Sequence, residues 1–102
     1  MSFLVLPIDS TPDAIVSFDI GEVVLTFRTY WNQRDQSWFV DILDAEETPL
    51  ILSLRIGNKT ILSKYLPDLA GTIFAISNDT LDQSDPGEFD LGKRVLIMYE
   101  EP

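Results

Sequence analysis

Carboxylates are the side chains this sequence gathers densely enough to suggest chemistry. The stretch DILDAEE offers Asp41, Asp44, Glu46 and Glu47, and NDTLDQSDPGEFD offers Asp79, Asp82, Asp85, Glu88 and Asp90. Two such groups can hydrolyse a glycoside without histidine, but they need a cleft that holds and distorts a sugar. Short strands in a small chain rarely build one. Calcium is the better alternative, because loop carboxylates and carbonyls are its ligands, yet the spacing does not follow the EF-hand pattern and its glycine position is unmatched. Pro86 and Gly87 after Asp85 make an adequate turn unaided, so a solvated acidic loop is the simpler reading beside a calcium loop. Lys59 and Lys64 stand near Tyr65, but a catalytic lysine needs burial to lower its pKa, and surface lysines are far commoner. The chain has no histidine and no cysteine. That removes the imidazole base, the thiolate nucleophile and the usual zinc ligands together. No catalytic residue, no metal ligand and no cofactor is assigned, and no enzymatic activity is expected.

At 102 residues, the chain is expected to be a single domain, long enough to bury a core and too short for an interdomain cleft. Without disulfides its stability must come from packing, which suits a reducing compartment. Seventeen acidic against seven basic residues leave a formal charge of −10. Phosphate backbones are therefore repelled, and nucleic acid is not an expected partner. The opening MSFLVLPIDSTPD carries an apolar patch far shorter than a membrane span and no basic segment before it, so it reads as a first strand. Neither membrane insertion nor export is expected from it.

The elements that must carry these groups are strands. AIVSFDI places Ala14, Val16, Phe18 and Ile20 on one face, and EVVLTFRTY does the same with Val23, Leu25, Phe27 and Thr29. Between them Gly21 is the residue best able to adopt positive φ in a hairpin turn. SWFVDILD alternates Trp38, Val40 and Ile42 against Phe39, Asp41 and Leu43, and LILSLRI follows suit with Leu50, Leu52 and Leu54. KTILSKYLPDL reads as a short helix or 3₁₀ turn around residues 59–66, or as a bent strand ending near Pro67. GTIFAIS and KRVLIMY are late strands, separated by the acidic loop. The fold class expected is all-β: a small antiparallel sandwich or barrel of about seven to eight short strands.

Register gives the hairpin YWNQRDQSWFVDI its meaning. Pairing Trp31 with Trp38 sets Thr29 by Val40 and Phe27 by Ile42 on one apolar face, and Arg28 by Asp41 and Tyr30 by Phe39 on the other. The tryptophans are then first a structural cross-strand pair, contributing about 0.5–1.5 kcal/mol beyond area burial. In the preceding hairpin, Phe18 opposite Val23 would put Val16 by Leu25 and Ala14 by Phe27. Tyr30 and Phe39, unless covered by a second layer, form an aromatic patch suited to a protein contact. The first and last strands are apolar on both sides: Leu4 and Leu6 alternate with Phe3 and Val5, and Leu96 and Met98 with Val95 and Ile97. Either a second layer covers them or they meet partners.

TYWNQRDQSWFVDILDAEETPL, LSLRIGNKTILSKY, GTIFAIS and DPGEFDLGKRVLIMYEE, from about Ile15 to Glu100, resemble in order and spacing the small plug proteins of contractile-tailed bacteriophage baseplates. The most characteristic pieces are Arg34 and Trp38-Phe39 in the hairpin, and Asp90, Leu91 and Gly92 leading into a strand ending at Tyr99. One departure is the lack of the glycine expected between Pro49 and the next strand. The resemblance implies an all-β virion protein of a phage or prophage tail, seated on the baseplate axis and blocking the hub until ejection. It also implies assembly in the host cytoplasm and hub and spike proteins as partners, with no small-molecule ligand. Tyr30, Phe39, Leu96 and Met98 are the candidate contact residues, and Trp31, Trp38, Arg28, Asp41 and Gly21 the candidate structural ones. The alternative is a small ligand-binding barrel, such as a carbohydrate-binding module, with Trp31 and Trp38 stacking on a sugar ring.

Overall fold

The computed structural model describes residues 3–11, 13–20, 23–66, 69 and 71–101. Among these, seven strands form two antiparallel sheets. They are β1 (Phe3–Val5), β2 (Ala14–Ile20), β3 (Val23–Asn32), β4 (Ser37–Leu43), β5 (Pro49–Ile56), β6 (Thr72–Ser77) and β7 (Val95–Glu100), with one 3₁₀ turn at Leu62–Tyr65. Strands β2 to β5 make a meander in sequence order, while β7 lies between β1 and β6 in the second sheet. The chain thus begins and ends in the same small sheet.

Period-two alternation explains the core. Leu25, Phe27, Trp38, Val40, Ile42, Ile51 and Ile56 from the four-stranded sheet and Ile73, Ala75, Val95, Ile97 and Tyr99 from the three-stranded sheet are buried in one apolar cluster. Leu62, from the 3₁₀ turn, joins it. In β2, β3, β4, β6 and β7 alternate residues turn inward, so two sheets packed face to face bury one row per strand and leave the other row outside. β5 departs from the expected row of Leu50, Leu52 and Leu54: shifts in its register put Ile51 and Ile56 in the core and leave Leu50 and Leu52 exposed.

The β3–β4 ladder pairs Phe27 with Ile42, Arg28 with Asp41, Thr29 with Val40, Tyr30 with Phe39 and Trp31 with Trp38. This register makes the apolar alternations of both strands coincide. The β2–β3 ladder corrects the sequence reading: Ile20 pairs with Val23, Phe18 with Leu25, Val16 with Phe27 and Ala14 with Thr29. The expected pairs were two residues out of step. Continuing the ladder to Ile20 and Val23 adds cross-strand bonds and buries Ile20, and a shift of two leaves every side chain on its predicted face. Phe18 meets Phe27 edge-on, with ring centroids 5.3 Å apart. Gly21, assigned to that turn, lies outside the described residues.

Between β4 and β5 the register shifts at Asp41 and again at Ile42 to Leu43. The first shift places an extra residue of β5 opposite Asp41. Ser53 takes φ 56° there, and the Asp41 carboxylate accepts its amide at 2.7 Å. A non-glycine residue in the left-handed region costs about 1 kcal/mol, which this charge-assisted bond offsets.

Candidate protein-interaction surfaces

The hairpin tryptophans have different environments. Trp38 is fully buried and its Nε1 donates to the Gly87 carbonyl at 2.9 Å, which ties the hairpin to the segment before β7. Trp31 is half-buried, packs edge-on against Trp38 at 5.7 Å and donates from Nε1 to Gln33 Oε1 at 2.9 Å. Trp38 therefore presents no open face on which a sugar ring could stack.

Tyr30 and Phe39 lie half-buried on the outer face of the four-stranded sheet, stacked with centroids 5.9 Å apart. The Arg28 guanidinium lies over Tyr30 at 5.4 Å and binds Asp13 Oδ1 at 2.8 Å, with Asp41 Oδ2 farther off at 3.8 Å. The hydrogen bond to Asp13, then its charge, raises the Arg28 pKa. Tyr30 Oη donates to Asp41 Oδ1 at 3.3 Å and shares a 3.0 Å hydrogen bond with Ser53 Oγ. Asp41 is thus more than half of an exposed pair. Its side chain is only 13% exposed and it organises the bulge, the tyrosine and the arginine together. Asp41→Ala is expected to cost about 1–3 kcal/mol, because the Ser53 amide and the Tyr30 hydroxyl lose their acceptor. Ser53→Gly in that background should restore about 0.5–1 kcal/mol by relieving the positive φ. Urea unfolding of the single and double variants measures both, and a cost near zero for Asp41→Ala would rule the role out.

Leu96 and Met98 lie on the outer face of the other sheet. Their neighbours Val95, Ile97 and Tyr99 are buried, whereas Leu96 and Met98 are half-buried. Ladder partners extend this row in both directions: Val5 and Phe74 flank Met98, and Ile76 flanks Leu96. Phe3 packs edge-on against Phe74 at 6.3 Å, and exposed Ile61 bridges to Phe74 from outside the sheet. The four candidate contact residues therefore do not converge. One pair sits in a polar network on one face, and the other belongs to an apolar surface on the opposite face. In the sequence Phe3 and Val5 read only as one side of a strand apolar on both sides, and Phe74 and Ile76 escaped the sequence reading of that surface, although GTIFAIS is apolar at both parities just as VLIMY is.

The acidic loop encloses a cation of its own. Arg94, with its side chain 14% exposed, donates from Nη1 to Ser77 Oγ at 3.2 Å, Asp82 O at 2.9 Å and Ser84 O at 3.1 Å. Its Nη2 donates to Asp85 O at 3.0 Å and Asp90 Oδ2 at 3.2 Å, and its Nε lies 3.5 Å from Asp82 Oδ2. The planar guanidinium fork thus satisfies loop carbonyls and carboxylates that a calcium site would use. Asp82 has its pKa lowered, chiefly by its hydrogen bonds with Ser84 and further by the Arg94 charge. Asp85 is turned to other partners: its Oδ1 accepts the Asn58 amide at 2.9 Å and its Oδ2 meets Arg55 at 3.0 Å. Among the described residues no three acidic groups converge as a metal site would require. Lys59 and Lys64 are exposed. Sequence reasoning missed Arg94, and its signal is the arginine that follows the acidic run and immediately precedes β7. Gly92 is needed in this segment: it has φ +81°, and a Cβ there would press on the Ile8 carbonyl and on Asp9 Cα.

A two-sheet β scaffold with an uncovered apolar face and an acidic loop gathered around Arg94 has the features of a module that contacts other proteins. The family model described as cyanophage baseplate Pam3 plug gp18 matches residues 3–102, and the chain belongs to that family. No curated protein matches it. Membership makes it a structural protein of a phage baseplate, located in the virion tail and in contact with other baseplate components.

Proposed function

We propose that the domain plugs the axial channel of the baseplate hub, docking through the outer face of its three-stranded sheet. The observation that carries this reading is the continuous apolar surface of Phe3, Val5, Phe74, Ile76, Leu96 and Met98. Such a face left to water is costly, and burying it against a partner stabilises the assembly. Leu96 and Met98 are the anchors, since they stand on the central strand of that sheet. The net charge of −10 leaves passing DNA unattracted. Hub and spike proteins are the partners, met after folding in the host cytoplasm.

Substituting Leu96 or Met98 with aspartate should leave the isolated fold intact, because neither side chain belongs to the buried cluster. Binding to hub or spike should fall by about 1–3 kcal/mol per anchor, as an apolar contact is lost and a charge is desolvated in its place. Pull-down with purified hub and spike proteins at high salt reads this directly, with Phe39→Lys as the arm for the opposite face. A wild-type chain that binds no baseplate component would defeat the reading.

A further inference from the structure

The two edges of the three-stranded sheet are treated differently by the chain. On β6 the amides that point away from β7 belong to Ile73, Ala75 and Ser77, and each is taken. Ser63 Oγ accepts the first at 2.9 Å, Thr60 O the second at 2.9 Å and Asn58 Oδ1 the third at 2.8 Å. Residues 58–63 therefore close that edge.

On β1 nothing comparable happens. The register pairs Phe3 with Glu100, Leu4 with Tyr99 and Val5 with Met98, and the Leu6 amide donates to Ile97 O at 2.8 Å. Antiparallel bonds alternate along a strand, so Leu4 and Leu6 address β7 while the N–H and C=O groups of Phe3 and Val5 face outward. Among the described residues neither has a backbone partner on that side. Proteins ordinarily guard such an edge with a charge, a bulge or a proline. Phe3, Leu4 and Val5 carry no charge and are 53%, 51% and 56% exposed, and proline comes only at Pro7, beyond the paired residues.

We propose that β1 is a strand-addition site, at which a baseplate partner lays down an extended apolar segment and continues the three-stranded sheet by one strand. This rests on the reading that the chain works through baseplate contacts. Outward donors and acceptors at alternate residues call for another extended backbone, not for a helix or a loop. Apolar side chains on the added strand would prolong the row formed by Val5, Met98 and Phe74. A lysine or arginine beside Phe3 would lie about 10 Å, two strand spacings, from Glu100, within reach of its carboxylate. A second copy of this chain is the poorer occupant, because it brings another net charge of −10 to the contact.

Two substitutions at one position test the idea. Val5→Pro removes an outward amide hydrogen without removing a bond to β7, whereas Val5→Ala trims the side chain and keeps the amide. Each is checked for fold by circular dichroism and melting, then supplied in place of the wild-type chain during phage production, and its amount per purified tail is measured by mass spectrometry. Because Val5 belongs to the docking face, Val5→Ala sets the loss due to the trimmed side chain, and Val5→Pro is expected to fall about ten-fold or more below Val5→Ala, the size of one well-made backbone contact pair. Equal incorporation of the two variants would overturn strand addition while leaving the baseplate reading standing. Should Val5→Pro fail to fold, Phe3→Pro against Phe3→Ala makes the same comparison at the other outward amide, and equal incorporation there is equally decisive against it. Purified wild-type dimers that Val5→Pro abolishes would assign the edge to a second copy and overturn the choice of partner. Absence of the wild-type chain from tails would overturn both this proposal and the one beneath it.

Discussion

Replacing Trp38 by alanine is expected to lower the unfolding free energy by about 3–5 kcal/mol, the range for removing a fully buried large aromatic side chain. The side chain is 0% exposed, so its volume becomes a cavity between the two sheets. The Gly87 carbonyl also loses its 2.9 Å donor, and the edge-on contact with Trp31 disappears. A domain of this size has about 5–15 kcal/mol of stability in all, so the melting temperature should drop by more than about 10 °C. Trp38→Phe separates the causes. It keeps most of the apolar volume but cannot donate to Gly87, and should cost about 1–3 kcal/mol. Denaturant titrations of both variants give the comparison, followed by circular dichroism, since Trp31 would be the remaining indole. A loss below about 1.5 kcal/mol for Trp38→Ala would show that the hairpin does not anchor the core.

Arg94→Ala should have the second largest effect, about 2–4 kcal/mol, and a local one. The guanidinium holds the carbonyls of Asp82, Ser84 and Asp85 and the carboxylate of Asp90. Without it, acidic residues crowd a segment that has lost its internal cation. Water can reach the exposed part of the loop and solvate the released carbonyls, so the cost stays below that of an uncompensated buried charge. Amide exchange is the sensitive measurement. Protection at Asp82, Asp90 and Lys93, whose amides bond within this segment, should fall well before the strands open. Arg94→Lys should recover less than half of the loss, because an ammonium cannot span carbonyls that a planar fork reaches together. Full recovery with lysine would reduce Arg94 to a charge without geometry.

Several features were legible along the chain because strand side chains alternate strictly. Thr29, Trp31, Trp38 and Val40 declare their face by parity alone, and opposite charges at Arg28 and Asp41 agree with the same register. The β2–β3 reading missed by two residues and still put Ala14, Val16, Phe18 and Ile20 on the correct face, since a two-residue slip is invisible to parity. Locally encoded turn preference is what decides such a slip, and it is weaker than the face preference. Family resemblance was legible for the same reason: it rests on spacing between alternating strands and on the Asp90, Leu91, Gly92 approach to β7. The 3₁₀ turn at Leu62–Tyr65 fell where the alternation weakened. Arg94 was not legible, because its carbonyl partners are main-chain groups that any sequence would possess.

By itself, then, the sequence determined the all-β class, the inward rows of β3 and β4, the Trp31–Trp38 pairing and the absence of histidine and cysteine chemistry, all of which follow from residue type and period two. Tertiary structure decided the rest. A strand apolar at both parities reads alike whether one side or both are covered, so only the assembled sheets could show that Val95, Ile97 and Tyr99 are buried while Leu96 and Met98 are not. Which strands become edges is likewise a property of sheet order. Placing β7 between β1 and β6 closed one edge with residues 58–63 and left Phe3 and Val5 with outward backbone groups, because each strand has only two sides and no further strand among the described residues comes to the second.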